Sequence, residues 1–205
     1  MTIYPITLPV DDGIASMSLS MLDVSQRSES PFTLQRGQII DYAASQWGLT
    51  ITIPPVGRDV AQKWQSFLAK LRGTIGTFQC PVPGHIDPLG AAREVPGIPR
   101  VNGAGQTGFD ILIDGVPSST YEYLAEGDFI QIGTRLYIVT ERANTNSAGA
   151  VRLYVWPEIE GEHDDNTRVI VQNAMGVFQL REPLREINLS SFDTYGLTIN
   201  AREVY

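Results

Sequence analysis

Cysteine is almost missing from this chain: Cys80 stands alone among 205 residues. One cysteine excludes an intrachain disulfide and any zinc site built on paired thiolates. Cys80 itself reads as a small buried hydrophobe, with a reactive thiol as the alternative. Histidine is nearly as scarce, with only His85 and His163 to supply a general base or a metal-binding imidazole. No apolar run is long enough to cross a bilayer as a helix. The first residues, MTIYPITLPVDDG, have neither a basic start nor a long apolar centre, so neither a membrane span nor a secretory signal is expected. Clustered positive charge is missing too. Residues 1–80 hold six Lys/Arg and six Asp/Glu, whereas residues 81–205 hold nine against seventeen, so the net charge of −8 falls in the second part. A chain without a basic stretch has no electrostatic footprint for tight nucleic-acid binding.

What is present is a globular composition, with 42% hydrophobic and 19% charged residues. Short runs rich in Val, Ile, Tyr and Phe, separated by Gly, Pro or Asn/Asp, predict strands at 51–56, 109–115, 128–141, 150–159, 167–172, 176–182 and 196–205. The run at 128–141 is expected to bend at Gly133. In RLYIVTE and VRLYVWPE apolar residues occupy both alternating sets, which predicts strands covered on both faces. Many short strands point to a mainly β chain, a sandwich or small barrel.

One segment breaks the pattern. Val60, Trp64, Phe67, Leu68 and Leu71 recur at helical spacing on one stripe, with Gln62, Lys63, Gln65 and Lys70 on the other side. Asp59 is a candidate N-cap, and Gly73 stands where helices commonly stop. The stripe predicts a helix that seals one face of a sheet.

Two loose regions divide the chain. Residues 81–108 are dense in Pro and Gly, and EIEGEHDDNTR at 158–168 is acidic and solvated. They predict a body formed by 1–80 and 166–205, with 81–165 inserted as a smaller, replaceable β unit. The strands after 167 are expected to return to those before 80.

Candidate chemistry is sparse. Glu160, Glu162, His163, Asp164 and Asp165 lie together, but without the alternate carboxylates and wrapping glycine of a calcium loop, so a solvated loop competes with a cation site. NGAGQTG at 102–108 has the glycines of a phosphate cradle but neither a following lysine nor a helix. No GxSxG elbow places a serine nucleophile. Tyr121, Tyr123, Tyr154 and Trp156 are candidates for stacking on sugar rings, with strand core as the competing reading. No catalytic residue, cofactor or metal is assigned, and an enzyme is not expected.

LAKLRGTIGTFQCPVPG, EGDFIQIGTRLYIVTERANTNSAGAVRLYVWPEI and GVFQLRE, in that order, resemble segments of distal tail proteins of long-tailed, non-contractile bacteriophages and related phage-like particles. The resemblance runs from about residue 47 to the end and is most specific at 71–78 and 127–141. It implies a β-sandwich ring domain with one packed helix plus an inserted small β-barrel-like domain. The function it implies is structural: a homo-oligomeric ring, a hexamer, in the virion tail tip. Its expected partners are the tail tube protein and the tail hub or baseplate proteins, with DNA passing through the lumen without specific binding. A carbohydrate-binding module for attachment to the host surface is the alternative.

Overall fold

The computed structural model describes residues 3–9, 14–29, 36–183 and 195–204. The elements run β1 (Ile6–Thr7), β2 (Ser16–Glu29), β3 (Arg36–Val56), α1 (Arg58–Leu71), β4 (Thr77–Pro81), a 3-10 turn (Ala91–Arg93), β5 (Arg100–Val101) and β6 (Thr107–Asp114). They continue with β7 (Phe129–Ile132), β8 (Arg135–Val139), β9 (Ala150–Glu160), β10 (Val169–Ile170), β11 (Met175–Leu180) and β12 (Tyr195–Glu203). The protein is mainly β: a sandwich-like sheet with one packed helix, and a second sheet curled into a small, nearly closed barrel.

The first sheet has the order β1-β4-β11-β12-β3-β2. Its residues sort by strict alternation. One face carries the rows Met17–Ile51–Ile199 and Leu19–Leu49–Ala201, which turn inward. Against them pack the Trp64, Phe67 and Leu71 rings and methyls of α1, continued by Phe78 and Phe178 from β4 and β11. The other face carries Ser16–Thr52–Thr198 and Ser18–Thr50–Asn200.

The helix begins at Arg58, with Gly57 as its N-cap; Asp59 lies inside the first turn instead of capping it. There the carboxylate faces the positive end of the helix dipole. The helix closes on Arg72 and Gly73, both left-handed, with φ of 54° and 70°. Glycine accepts that conformation at little cost, so Gly73 is a physical stop signal.

β12 pairs with β3 only from Gly48 to Val56, so residues 36–47 of β3 have β2 as their sole described partner strand. A two-stranded ribbon therefore leaves the sheet, roughly 36 Å long at the usual rise per residue. Bulges at Asp23/Ser25 and Ser28/Glu29 interrupt its register.

The second sheet has the order β10-β7-β8-β9-β6-β5. Its ends meet: Val101 N–H donates to Thr167 O at 2.9 Å, Asn166 N–H to Val101 O at 2.9 Å, and Val169 N–H to Pro99 O at 2.9 Å. The barrel interior is mostly aliphatic, with Ile111, Ile113, Ile130, Ile132, Val151 and Leu153 fully or almost fully enclosed beside the rings of Tyr123 and Tyr137.

Four expectations need correction. The run at 128–141 is not one bent strand but a hairpin; Ile132 faces Arg135 across Gly133 and Thr134, and Gly133 has φ of 61°. β9 is covered on one face only, leaving Arg152 and Tyr154 exposed, whereas β8 is enclosed on both. Of 167–172 only Val169–Ile170 is a strand, and it pairs with β7 of the barrel rather than with the first sheet. Finally, the barrel does not stand apart from the body: Phe129 and Leu136 from β7 and β8 belong to the first sheet's core.

Candidate functional site

The helix stripe holds its expected place. Trp64, Phe67 and Leu71 are buried, while Val60 and Leu68 pack on the same core from its margin. The four candidate aromatics separate. Tyr123 is fully buried and its hydroxyl donates to Pro96 O at 2.6 Å, so it belongs to the barrel core and cannot stack on a ligand. Trp156 is half-buried; its indole N–H donates to Asp23 Oδ1 at 3.0 Å and its ring meets Trp47 edge-on at 4.6 Å. Tyr121 and Tyr154 remain as surface aromatics, 67% and 41% exposed. Arg142 lies over the Tyr121 ring at 5.6 Å and pairs with Glu122, and Arg152 pairs with Asp110 at 2.6 Å in the cross-strand row beside Tyr154. The exposure of Tyr154 overturns the expectation that β9 is covered on both faces, while nothing in the local sequence distinguishes Tyr121 from Tyr123.

The acidic stretch resolves into two parts. Asp165 accepts the Gly103 N–H at 2.8 Å and so ties down the glycine-rich loop at 102–108. Among the described residues no cluster of His, Cys, Asp and Glu is arranged to hold a metal ion. Glu162 and His163 instead turn into the seam between the two sheets. Cys80 is buried, and desolvation pushes its thiol up to about 12, which leaves it protonated and unreactive.

Sequence reading missed that seam. Trp47 on β3 donates its indole N–H to Leu136 O at 2.9 Å and packs on Phe129 and Trp156. Ser45 Oγ accepts from Glu158 N–H at 2.9 Å. Arg135, 1% exposed, reaches Glu162 Oε1 at 3.2 Å, Glu160 Oε1 at 3.7 Å and Ser45 O at 3.4 Å. The Tyr137 hydroxyl lies 2.7 Å from Glu162 Oε1 and 2.8 Å from His163 Nε2. Glu203, also 1% exposed, accepts the Leu136 N–H at 2.7 Å through Oε1, while its Oε2 is buried without a hydrogen-bond partner. Polar residues buried at the ends of apolar strands give no periodic signal, which is why only the tertiary structure assembles them.

Two further surfaces were not legible as sites. The outer face of the first sheet continues its Ser/Thr/Asn rows with a row of Gly48, Arg202, Gln179 and Thr77, in which Arg202 stands on the central strand β12. The β2–β3 ribbon exposes Met21, Val24, Ile39 and Tyr42, all about half exposed. No protein-family model matches this chain, and no curated protein matches it at a significant level.

Proposed function

We propose that this protein is a structural subunit of a phage-type tail tip, which closes with copies of itself into a ring, most simply a hexamer, joining the tail tube to hub or baseplate proteins. The observation that carries this reading is the first sheet, which among the described residues is unfinished. Its β2 edge is long, its opposite edge is the two-residue β1, and its ribbon projects with apolar side chains exposed. An open sheet edge beside exposed apolar residues is an aggregation hazard for a monomer, and pairing between copies around a closed rotation removes it. The outer face supports the same reading. The described rows Ser16–Thr52–Thr198 and Ser18–Thr50–Asn200 are uncharged and hydrate well, and a lone Arg202 in the next row is a weak anchor for a polyanion, so DNA could pass along this face without sticking. The division into a body and an inserted barrel is part of this proposal, with the far boundary moved from 165 to beyond Ile170 because β10 pairs within the barrel, and so is the virion tail tip as its location.

The test is assembly. Light scattering across a concentration series, with negative-stain microscopy, should find rings for the protein alone or mixed with a tail tube protein. Val24→Glu with Ile39→Glu should abolish rings and leave a folded monomer. A strictly monomeric species under all these conditions overturns the proposal.

A second reading rests on Tyr121 and Tyr154, each exposed beside an Arg–carboxylate pair. Stacking faces next to planar hydrogen-bonding groups are what sugar recognition uses. A glycan array that gives equal, background signals for the protein and for Tyr154→Ala removes this reading.

A further inference from the structure

Glu203 stands on the inward row of β12, opposite Phe178 of β11, at the place where β8 of the barrel crosses the first sheet. We propose that Glu203 and the charged cluster around Arg135 form a proton-linked latch: protonated Glu203 keeps the two sheets clamped, and its ionisation admits water between β12 and β8 and loosens Leu136 from the first sheet.

The argument is one of charge and satisfaction. The groups facing Glu203 come from four elements. β8 supplies Arg135 and Tyr137, β9 and the turn that follows it supply Glu160, Glu162 and His163, β3 supplies Ser45 and Trp47, and β11 supplies Phe178. The one cation among them is Arg135, already within 4 Å of two carboxylates. Burial would push Glu162 up, but the hydrogen bond from Tyr137, with His163 and Arg135, holds it below the ordinary carboxylate range and therefore charged. A third carboxylate buried here finds a cation whose charge is already compensated. Its Oε2 has no donor, so ionisation would leave a charged oxygen desolvated and unpaired. Desolvation accordingly pushes Glu203 up to about 7, against the smaller downward pull of the Leu136 hydrogen bond, Arg135 and the Trp47 backbone. His163 does not compete for the proton in this range, because burial lowers it from its usual value.

Leu136 is the moving part. Its N–H donates to Glu203 and its C=O accepts from Trp47, so one peptide on each side of a single residue clamps β8 to β12 and β3. Ionised Glu203 gains hydration only if that clamp opens. The proton leaves to bulk water and no covalent bond changes.

The experiment is amide hydrogen exchange on the full chain between about pH 6 and pH 8.5, corrected for intrinsic base catalysis, with Ile113 inside the barrel as reference. Leu136 protection should fall about tenfold or more, with a midpoint near the Glu203 value, while Ile113 stays unchanged. Glu203→Gln should hold Leu136 protected across the range, and His163→Asn should leave the transition in place. Flat Leu136 protection overturns the latch, as does a transition that survives Glu203→Gln or vanishes in His163→Asn. Should Glu203→Gln fail to fold, ¹³C carboxyl titration of the unsubstituted protein decides: a Glu203 resonance that titrates in the ordinary carboxylate range overturns the proposal.

Discussion

The two sheets solve the same problem in opposite ways. The second curls until β5 meets the segment before β10, so its backbone groups are paired within the chain. Among the described residues the first stays open, ends in a long β2 on one side and a two-residue β1 on the other, and extends a ribbon with apolar side chains exposed. Closing a sheet on itself completes a unit, whereas leaving one open passes the remaining pairing to another molecule. Self-completion and assembly are thus assigned to different regions of one chain. They nevertheless share a core through Phe129, Leu136, Trp47 and Trp156.

The hardest test of that contrast is excision. Replacing residues 81–165 with a Gly/Ser linker removes Phe129 and Leu136 from the first core and strips Trp47 and Glu203 of their partners. We expect loss of cooperative folding in near-UV circular dichroism; a folded, cooperatively melting body would show that the first sheet is self-sufficient. Next in size are core truncations. Trp64→Ala in α1 and Tyr123→Ala in the barrel should each cost about 3–5 kcal/mol in chemical denaturation. Lys63→Ala on the helix exterior and Tyr121→Ala, two residues from Tyr123, should stay within about 1 kcal/mol. Equal effects for Tyr121 and Tyr123 would erase the distinction drawn here between barrel core and barrel surface.

The seam gives a smaller effect with a definite sign. Folded Glu203 holds its proton to about pH 7, against an ordinary 4.5. Its contribution is therefore complete below about 4.5 and is lost as pH rises through about 7. His163, lowered from 6.5, works the other way: its contribution is present above 6.5 and is lost as pH falls. Glu203→Gln should thus raise stability by about 1–3 kcal/mol near pH 8.5 and change little near pH 5. His163→Asn should instead remove loss on the acid side. Melting temperatures across pH for the two variants check both arms, and parallel curves would show that neither group is coupled to folding.

The helix was legible in the sequence because Trp64, Phe67 and Leu71 recur at 3.6-residue spacing in a setting of two-residue spacings. Strands β6, β9, β11 and β12 were legible from their Val, Ile, Leu and Phe content. β2 escaped notice because its inward residues, Met17 and Leu19, alternate with serines and carry weak strand propensity; the alternation was there, but the composition masked it. The length of β3 was hidden for the same reason, since Gln46 and Gly48 dilute the strand signal before Ile51. The seam was beyond sequence reading altogether, because Ser45, Arg135, Glu162 and Glu203 are brought together across up to 158 residues by two sheets packing, and no local pattern announces that.

The clasp at the barrel's mouth has a mechanical consequence. The chain leaves the first sheet at Pro81 and returns at Met175, which are register partners, and inside that loop Pro99 and Val169 are again tied to one another. Tension carried along β4 and β11 therefore passes from strand to strand across these ties without entering the barrel. The ninety or so residues between them act as hidden length: they lengthen nothing while the ties hold, and they pay out only after both have torn.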